Sequence, residues 1–316
     1  MIRRLVALVA VLGFAGAAKQ PRRGQPGPDG GQPGLSTPGQ AKQSPREFSG
    51  ATALEYTRKA VAFGPRPSGS PAIGKLQAYI RSELKLRACE VTEDVFRAST
   101  PLRPIEMRNI LARFAGSSGR AVAITGHYDT KMMPGAFFVG ANDGGSSTGF
   151  LLEMARVLPS LPHKNDIVLV FFDGEEAVAQ WSETDGTYGS RHLAERWALD
   201  GTLRRLKALI NVDMIGDRDL DIANEENSSR ELRQTIWAIA GRLGFGSSFL
   251  TQPSAILDDH IPFVQAGVEA ADLIDFDYGP NHSYWHTDRD TMDKLSAQSL
   301  DKVGRVVVET VKELDR

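Results

Sequence analysis

Apolar positions in this chain follow two periods that alternate. Residues 52–63 carry helical spacing until Gly64-Pro65-Arg66-Pro67 breaks it, and the helical pattern resumes over 71–86 with Leu76, Tyr79, Ile80 and Leu84 on one face. From there strand-like and helix-like segments take turns. Strands are predicted at 109–114, 121–125, 166–172, 206–215 and 269–274, and helices at 146–158, 188–197, 229–243 and 296–314. The run Ile167, Val168, Leu169, Val170, Phe171, Phe172 has no polar face, as expected of a central strand covered on both sides. This alternation predicts an α/β domain with a mixed, mostly parallel central sheet and helices on both faces. No internal repeat interrupts it.

The front of the chain follows neither period. Arg3 and Arg4, the short apolar run 5–14 and the small residues Ala15-Gly16-Ala17-Ala18 read as a secretory signal peptide over 1–18. The apolar run is too short to span a bilayer, and no cysteine follows it as a lipid-attachment site. The expectation is export to the periplasm or beyond, without stable membrane insertion after cleavage. Residues 19–48 are dominated by Gly, Pro, Gln and Ser, with Gln25-Pro26-Gly27 echoed at Gln32-Pro33-Gly34 and Thr37-Pro38-Gly39. That composition buries too little apolar surface to fold and predicts a disordered linker. What remains, 49–316, is about 270 residues, enough for one well-buried domain.

Composition changes the picture only by exclusion. Of 316 residues, 41% are hydrophobic and 24% charged, with a formal net charge of −2, so no strong field favours nucleic acid or an anionic membrane. Cys89 is the single cysteine, which rules out both a disulfide framework and a cysteine-rich zinc site.

Open α/β sheets bind ligands beyond the carboxyl ends of their strands, and the chemistry-bearing residues fall there. The strand at 121–125 runs into His127 and Asp129, that at 166–172 into Asp173, Glu175 and Glu176, and that at 206–215 reaches Asp213. A glycine-rich loop adds Asp143 just before a helix, and Trp285-His286 adds an imidazole near the end. Singly, each is ordinary: Asp143 could cap a helix, Glu175-Glu176 could be a solvated pair, and His286 could be a surface or core histidine. His163, His192 and His282 have no comparable context. Together they imply a site. Gathered carboxylates repel unless a cation offsets them, and zinc accepts imidazole and carboxylate ligands while keeping one position open in catalytic sites. Of two adjacent glutamates, one can coordinate while the other stays free to move protons.

These residues resemble a known family. His127-Tyr128-Asp129-Thr130-Lys131, Asp143-Gly144-Gly145, Phe172-Asp173-Gly174-Glu175-Glu176, Asp213 and Trp285-His286-Thr287 are similar to zinc aminopeptidases of the bacterial leucyl aminopeptidase type. Three stretches narrow the resemblance to glutaminyl-peptide cyclotransferases: Lys131 after the His127 motif, Trp181 to Ala194, and Ile256-Leu257-Asp258-Asp259-His260-Ile261-Pro262-Phe263. The second is the most specific, and the resemblance spans from about residue 64 to the end. It implies one zinc on Asp143, Glu176 and His286, with Glu175 as acid–base residue. Asp213 and Asp258 would form a carboxylate network orienting Glu175. Trp181, Ile256 and Trp285 would line the substrate pocket, with Lys131 also on the substrate side. The implied substrates are peptides or proteins with N-terminal glutamine, cyclised to pyroglutamate with release of ammonia. The loop 276–284 is longer and more polar than the cyclase pattern, and the disulfide that animal cyclases carry near the site cannot form here. Two alternatives stay open. In an aminopeptidase, His127 and Asp213 would hold a second zinc bridged by Asp143. In a non-catalytic zinc-binding relative, Glu175 or a ligand would usually have been lost, yet all are present.

Overall fold

The computed structural model describes residues 47–316. The expected signal peptide at 1–18 and nearly all of the expected linker at 19–48 lie outside the described residues. At the linker's end there is one correction. Phe48 is buried, 5.1 Å from the Phe150 ring, so it belongs to the core rather than to the linker. A lone aromatic after a polar stretch carries no periodicity, which is why the sequence pattern starts too late.

In chain order the elements are α1 (Gly50–Val61), α2 (Pro71–Leu84), β1 (Glu90–Ala98), β2 (Ile105–Phe114), β3 (Ala121–His127), α3 (Gly145–Val157), β4 (Asp166–Phe172), α4 (Tyr188–Asp200), β5 (Leu206–Asp213), β6 (Ile222–Glu225), α5 (Arg230–Arg242), β7 (Phe249–Ser254), α6 (Ile261–Gln265), β8 (Ala270–Ile274) and α7 (Ala297–Leu314). Ser49, Ser70 and Ser296 cap α1, α2 and α7 by accepting first-turn amide hydrogens. The main sheet has the order β1-β2-β4-β3-β5-β8. β4, β3, β5 and β8 run parallel, and β2 and β1 add an antiparallel flank. This is the mixed, mostly parallel α/β sheet expected. β6 and β7 pair separately.

Alternation along the strands sends side chains to two cores. Val122, Ile124, Ile167, Leu169, Phe171 and Ile210 face the helices α1, α2, α3, α5 and α7. Ala123, Val170, Phe172 and Leu209 face Leu193 and Trp197 of α4 and Phe263 of α6. Each buried Leu, Ile or Phe contributes about 1.5–3 kcal/mol, so the sheet is a rigid platform for whatever its edge carries.

The strand β1 was not predicted. It is an edge strand with only Asp94 and Ala98 buried, and Glu90, Thr92, Glu93 and Arg97 break up its apolar signature. Conversely, β5 stops at Asp213, short of the predicted residue 215, because Met214 turns out of the strand with φ 48°. Among the described residues no helix is long and apolar enough to cross a membrane.

Candidate active site

β3 lies between β4 and β5, so the chain turns to opposite sides there and leaves a crevice beyond the strand ends. Gly126 lets α3 approach: a Cβ there would lie 2.7 Å from Val212 O and from Ser147 Cβ. His127 follows, buried, its carbonyl accepting from Ser147 Oγ at 2.7 Å. After β4, Gly174 adopts φ 71° and turns Glu175 and Glu176 into the crevice. Asp129 fixes that turn, Oδ1 accepting from Glu175 N (3.2 Å) and Oδ2 from Glu176 N (3.3 Å).

Asp143 arrives on the loop before α3. The helix N-cap is Gly144, with no side-chain cap bond, so the reading of Asp143 as a helix cap is overturned and its carboxylate is free for the crevice. Arg66, fully buried, grips this loop by donating to Val139 O (2.5 Å) and Gly140 O (3.0 Å). Asp290 holds the backbone beside it, accepting from Asn142 N (2.8 Å) and Asp143 N (3.2 Å).

The side chains predicted from the sequence converge. His286 Nε2 lies 3.1 Å from Glu176 Oε1 and 3.3 Å from Asp143 Oδ2. His127 Nε2 lies 3.1 Å from Asp213 Oδ1 and 3.3 Å from Asp143 Oδ1. Asp143, Glu176 and His286 form one potential metal triad and His127, Asp143 and Asp213 another, each with ligand atoms within 4.8 Å of one another. Asp143 belongs to both. Its Oδ2 is buried without a hydrogen-bond partner, although the His286 nitrogen is close. Two ligand atoms that approach without aligning on each other are placed to share a third partner. The donor set, carboxylate oxygen with imidazole nitrogen, suits zinc.

Electrostatics agree. Burial, with Glu176, Asp258 and Asp259 nearby, pushes the Glu175 carboxyl well above the usual range, against the opposing pull of His127. Burial likewise raises Glu176, with Asp143 adding to it, and lifts Asp213 to about 7. For His286, burial would favour the neutral ring, but Asp143 and Glu176 raise it to about 9. Protons thus balance the negative charge where a divalent cation would do so.

A cavity of about 470 Å³ opens over these groups, and Lys131, Trp181, Ile256, Asp258 and Trp285 all line it. Lys131 Nζ lies 3.5 Å from Glu176 Oε2. Trp181, 38% exposed, stands at the mouth over Gly186, on a turn that Asp185 organises through the amides of Val178, Ala179 and Gln180. The expected hydrogen-bonded network from Asp213 and Asp258 to Glu175 is not formed. Asp213 Oδ1 binds His127 and the Met214 amide instead, and Asp258 accepts from the Asp259 amide, leaving its Oδ2 unpartnered. Carboxylates brought together repel, and Asp213 and Asp258 take other partners while Glu175 is left without one.

Sequence reasoning gave no role to Asp129, Asp290 or Arg66. Asp129 sits inside the His127 motif, but its bond to the Glu175-Glu176 turn requires β3 and β4 to be adjacent. Asp290 and Arg66 carry no signal of their own. The loop 276–284 contributes Phe276 to the cavity wall, packed 5.0 Å from the Trp285 ring.

Residues 109–311 match the model of the family described as Peptidase family M28. The chain is similar to the "Glutaminyl-peptide cyclotransferase" of Drosophila melanogaster, 29% identical over 84% of each chain. Among solved structures it resembles an Acidobacteriales bacterium glutaminyl cyclase, 40% identical, covering 87% of this chain and 97% of that one, with TM-score 0.82. It also resembles a Zn-dependent exopeptidase from Parabacteroides distasonis, 27% identical, covering 85% and 99%, with TM-score 0.76.

Proposed function

The chain belongs to peptidase family M28, on its glutaminyl-peptide cyclotransferase branch, and from that premise we propose that it cyclises the N-terminal glutamine of peptides to pyroglutamate and releases ammonia. Asp143, Glu176 and His286 would hold one zinc, which when bound supplies Lewis-acid polarisation of the substrate's side-chain carbonyl.

The remaining work falls to the chain's own residues. Trp181, Ile256 and Trp285 enclose the glutamine side chain and exclude water from it, and the fixed pocket brings the α-amine to the amide carbon. Glu175, made basic by burial, takes a proton from the α-amine onto a carboxylate oxygen. The amine nitrogen bonds to the side-chain amide carbon, the bond from that carbon to the amide nitrogen breaks, and Glu175 returns the proton to the departing ammonia. No water is consumed.

The observation that supports this reading most is the division between two neighbours. Glu176 points to His286 and Asp143, while Glu175 makes no carboxylate hydrogen bond among the described residues and faces the aromatic pocket. Mass spectrometry on a glutamine-initiated peptide tests it: loss of ammonia with the chain otherwise intact is expected. Release of free amino acids would instead favour the aminopeptidase reading, which the second triad of His127, Asp143 and Asp213 keeps in view. Zinc counted per chain separates one bound ion from two. Export belongs to the same reading, and N-terminal sequencing of the protein recovered outside the inner membrane, expected to begin after Ala18, tests it.

A further inference from the structure

The loop 276–284 carries a buried connection between the pocket and the metal site. Tyr278 is fully buried, its hydroxyl donating to Asp290 Oδ1 at 2.7 Å. The same carboxylate accepts the amide hydrogens of Asn142 (2.8 Å) and Asp143 (3.2 Å), and the Asp290 carbonyl accepts that of Ala141 (3.4 Å). On its other side Tyr278 governs the segment that ends in His286. Its ring meets the Tyr284 ring edge-on at 5.4 Å, and its carbonyl accepts from Tyr284 N at 3.3 Å. Two residues before Tyr278 stands Phe276, the pocket wall that packs on Trp285.

This segment needs holding. Asn281, His282 and His286 adopt φ 55°, 56° and 49°, a left-handed conformation in non-glycine residues. Each such residue costs about 1–3 kcal/mol and persists only where surrounding structure dictates it.

We propose that Tyr278 is a positioning residue whose hydroxyl ties the pocket wall at 276–278 to Asp290, the residue that, four positions after His286, holds the backbone of Asp143, so that the substrate wall is registered to the metal ligands by one contact. This rests on the reading of Asp143 and His286 as zinc ligands. Asp290 already joins the His286 segment to the Asp143 loop, and the Tyr278 bond adds the pocket wall to that joint. Removing the hydroxyl leaves the ring packed and leaves Asp290 Oδ1 still bonded to Asn142 N. The wall's tie to Asp290 is lost and the fold is kept.

The test is Tyr278→Phe in the full chain, with zinc affinity measured by competition against a chromogenic chelator and steady-state kinetics on a glutamine-initiated peptide at saturating zinc. Groups that orient metal ligands typically matter 10–100-fold, so the zinc Kd is expected to rise about 10-fold or more. KM should rise more than kcat falls, and the Tm of the metal-free protein should change little. A wild-type zinc Kd and KM, with only Tm lowered, would overturn the proposal and leave the zinc-site reading standing. A wild-type protein that takes up no zinc would overturn both. Asp290→Asn is the second variant: it keeps an acceptor for Tyr278 and loses one for the loop amides, so it should also weaken zinc. If the two variants act through one contact their effects on zinc Kd are non-additive, and full additivity in the double variant would count against the shared link.

Discussion

Glu175, beyond β4, and Glu225, at the end of β6, are both withdrawn from water, 8% and 0% exposed, and are held in opposite ways. Glu225 is saturated. Its Oε1 accepts from Asn227 N (2.9 Å) and Ile256 N (3.1 Å), and its Oε2 accepts from Ser228 N (2.6 Å) and Ser228 Oγ (2.8 Å) and faces His260 Nε2 at 3.1 Å. Burial alone would raise this carboxyl, yet His260 and the backbone donors bring it down to about 2. Glu175 has no such donors, and burial leaves it well above the usual range. A carboxylate that supports structure is surrounded by hydrogen-bond donors, whereas one that moves protons is left without them. The same contrast separates Glu175 from its neighbour Glu176, which has His286 and Lys131 beside it.

Three substitutions probe this contrast. Glu175→Gln is expected to have the largest effect, lowering kcat by about 10²–10⁴-fold, the usual contribution of a positioned acid–base group. Ammonia release measures that loss, and zinc content should stay at the wild-type level. Metal loss in this variant would mean that Glu175 is a ligand and erase the distinction from Glu176. Glu225→Ala should act on stability instead. Leaving the buried donors around a carboxylate unpaired costs about 1–3 kcal/mol or more, read from urea unfolding, and activity per folded molecule should suffer far less than in Glu175→Gln. His286→Ala comes third. It should weaken zinc binding beyond the roughly 10–100-fold typical of a supporting residue, as seen in chelator competition. Zinc affinity should also climb with pH toward 9, because burial is outweighed at His286 by Asp143 and Glu176, and the proton they retain there must leave before a metal can bind.

The legible part of the fold was the part with two-sided burial. β4, apolar on both faces, β5, apolar on one face and buried on nearly all of both, and α7, with Val303, Val306, Val307 and Val311 on its inner face, announced themselves through their apolar patterns. β1 did not, because an exposed edge strand keeps polar residues on both sides. At the site, Asp143, Glu176, His286, His127, Asp213 and Glu175 were legible because carboxylates and imidazoles rarely gather at several strand ends unless they share a ligand. The residues that aim them were not. Asp129 supports Glu175 and Glu176 across 46 and 47 positions of sequence, and Asp290 supports Asp143 across 147. Such bonds exist only once the sheet order is known. The hydrogen-bond network expected from Asp213 and Asp258 around Glu175 is not formed for the converse reason, since sequence shows which charges are near but not how they avoid one another.

A third acid lies between the two extremes and gives the smallest expected effect. Asp275, buried just after β8, has one oxygen satisfied by Asp221 N at 2.9 Å, while Oδ1 has no partner. Burial pushes it from near 3.8 up to about 8, with Asp217 and Asp221 adding to the rise and the backbone donors opposing it. The folded chain therefore keeps a proton that the unfolded chain gives up above pH 3.8. The stability Asp275 contributes is fully present below that pH and is lost as pH rises through about 8. Glu225 runs the other way: its contribution is present above about 4.5 and disappears as pH falls through about 2. In the metal-free protein, Asp275→Asn should thus gain stability relative to the wild type as pH rises from 5 to 8, followed by urea unfolding at each pH. Groups elsewhere titrate equally in both proteins, so the difference between the curves isolates this side chain. Parallel curves would mean that the unpartnered oxygen is as well solvated as an exposed one, and a missing hydrogen-bond donor would no longer distinguish a proton-holding acid from a structural one.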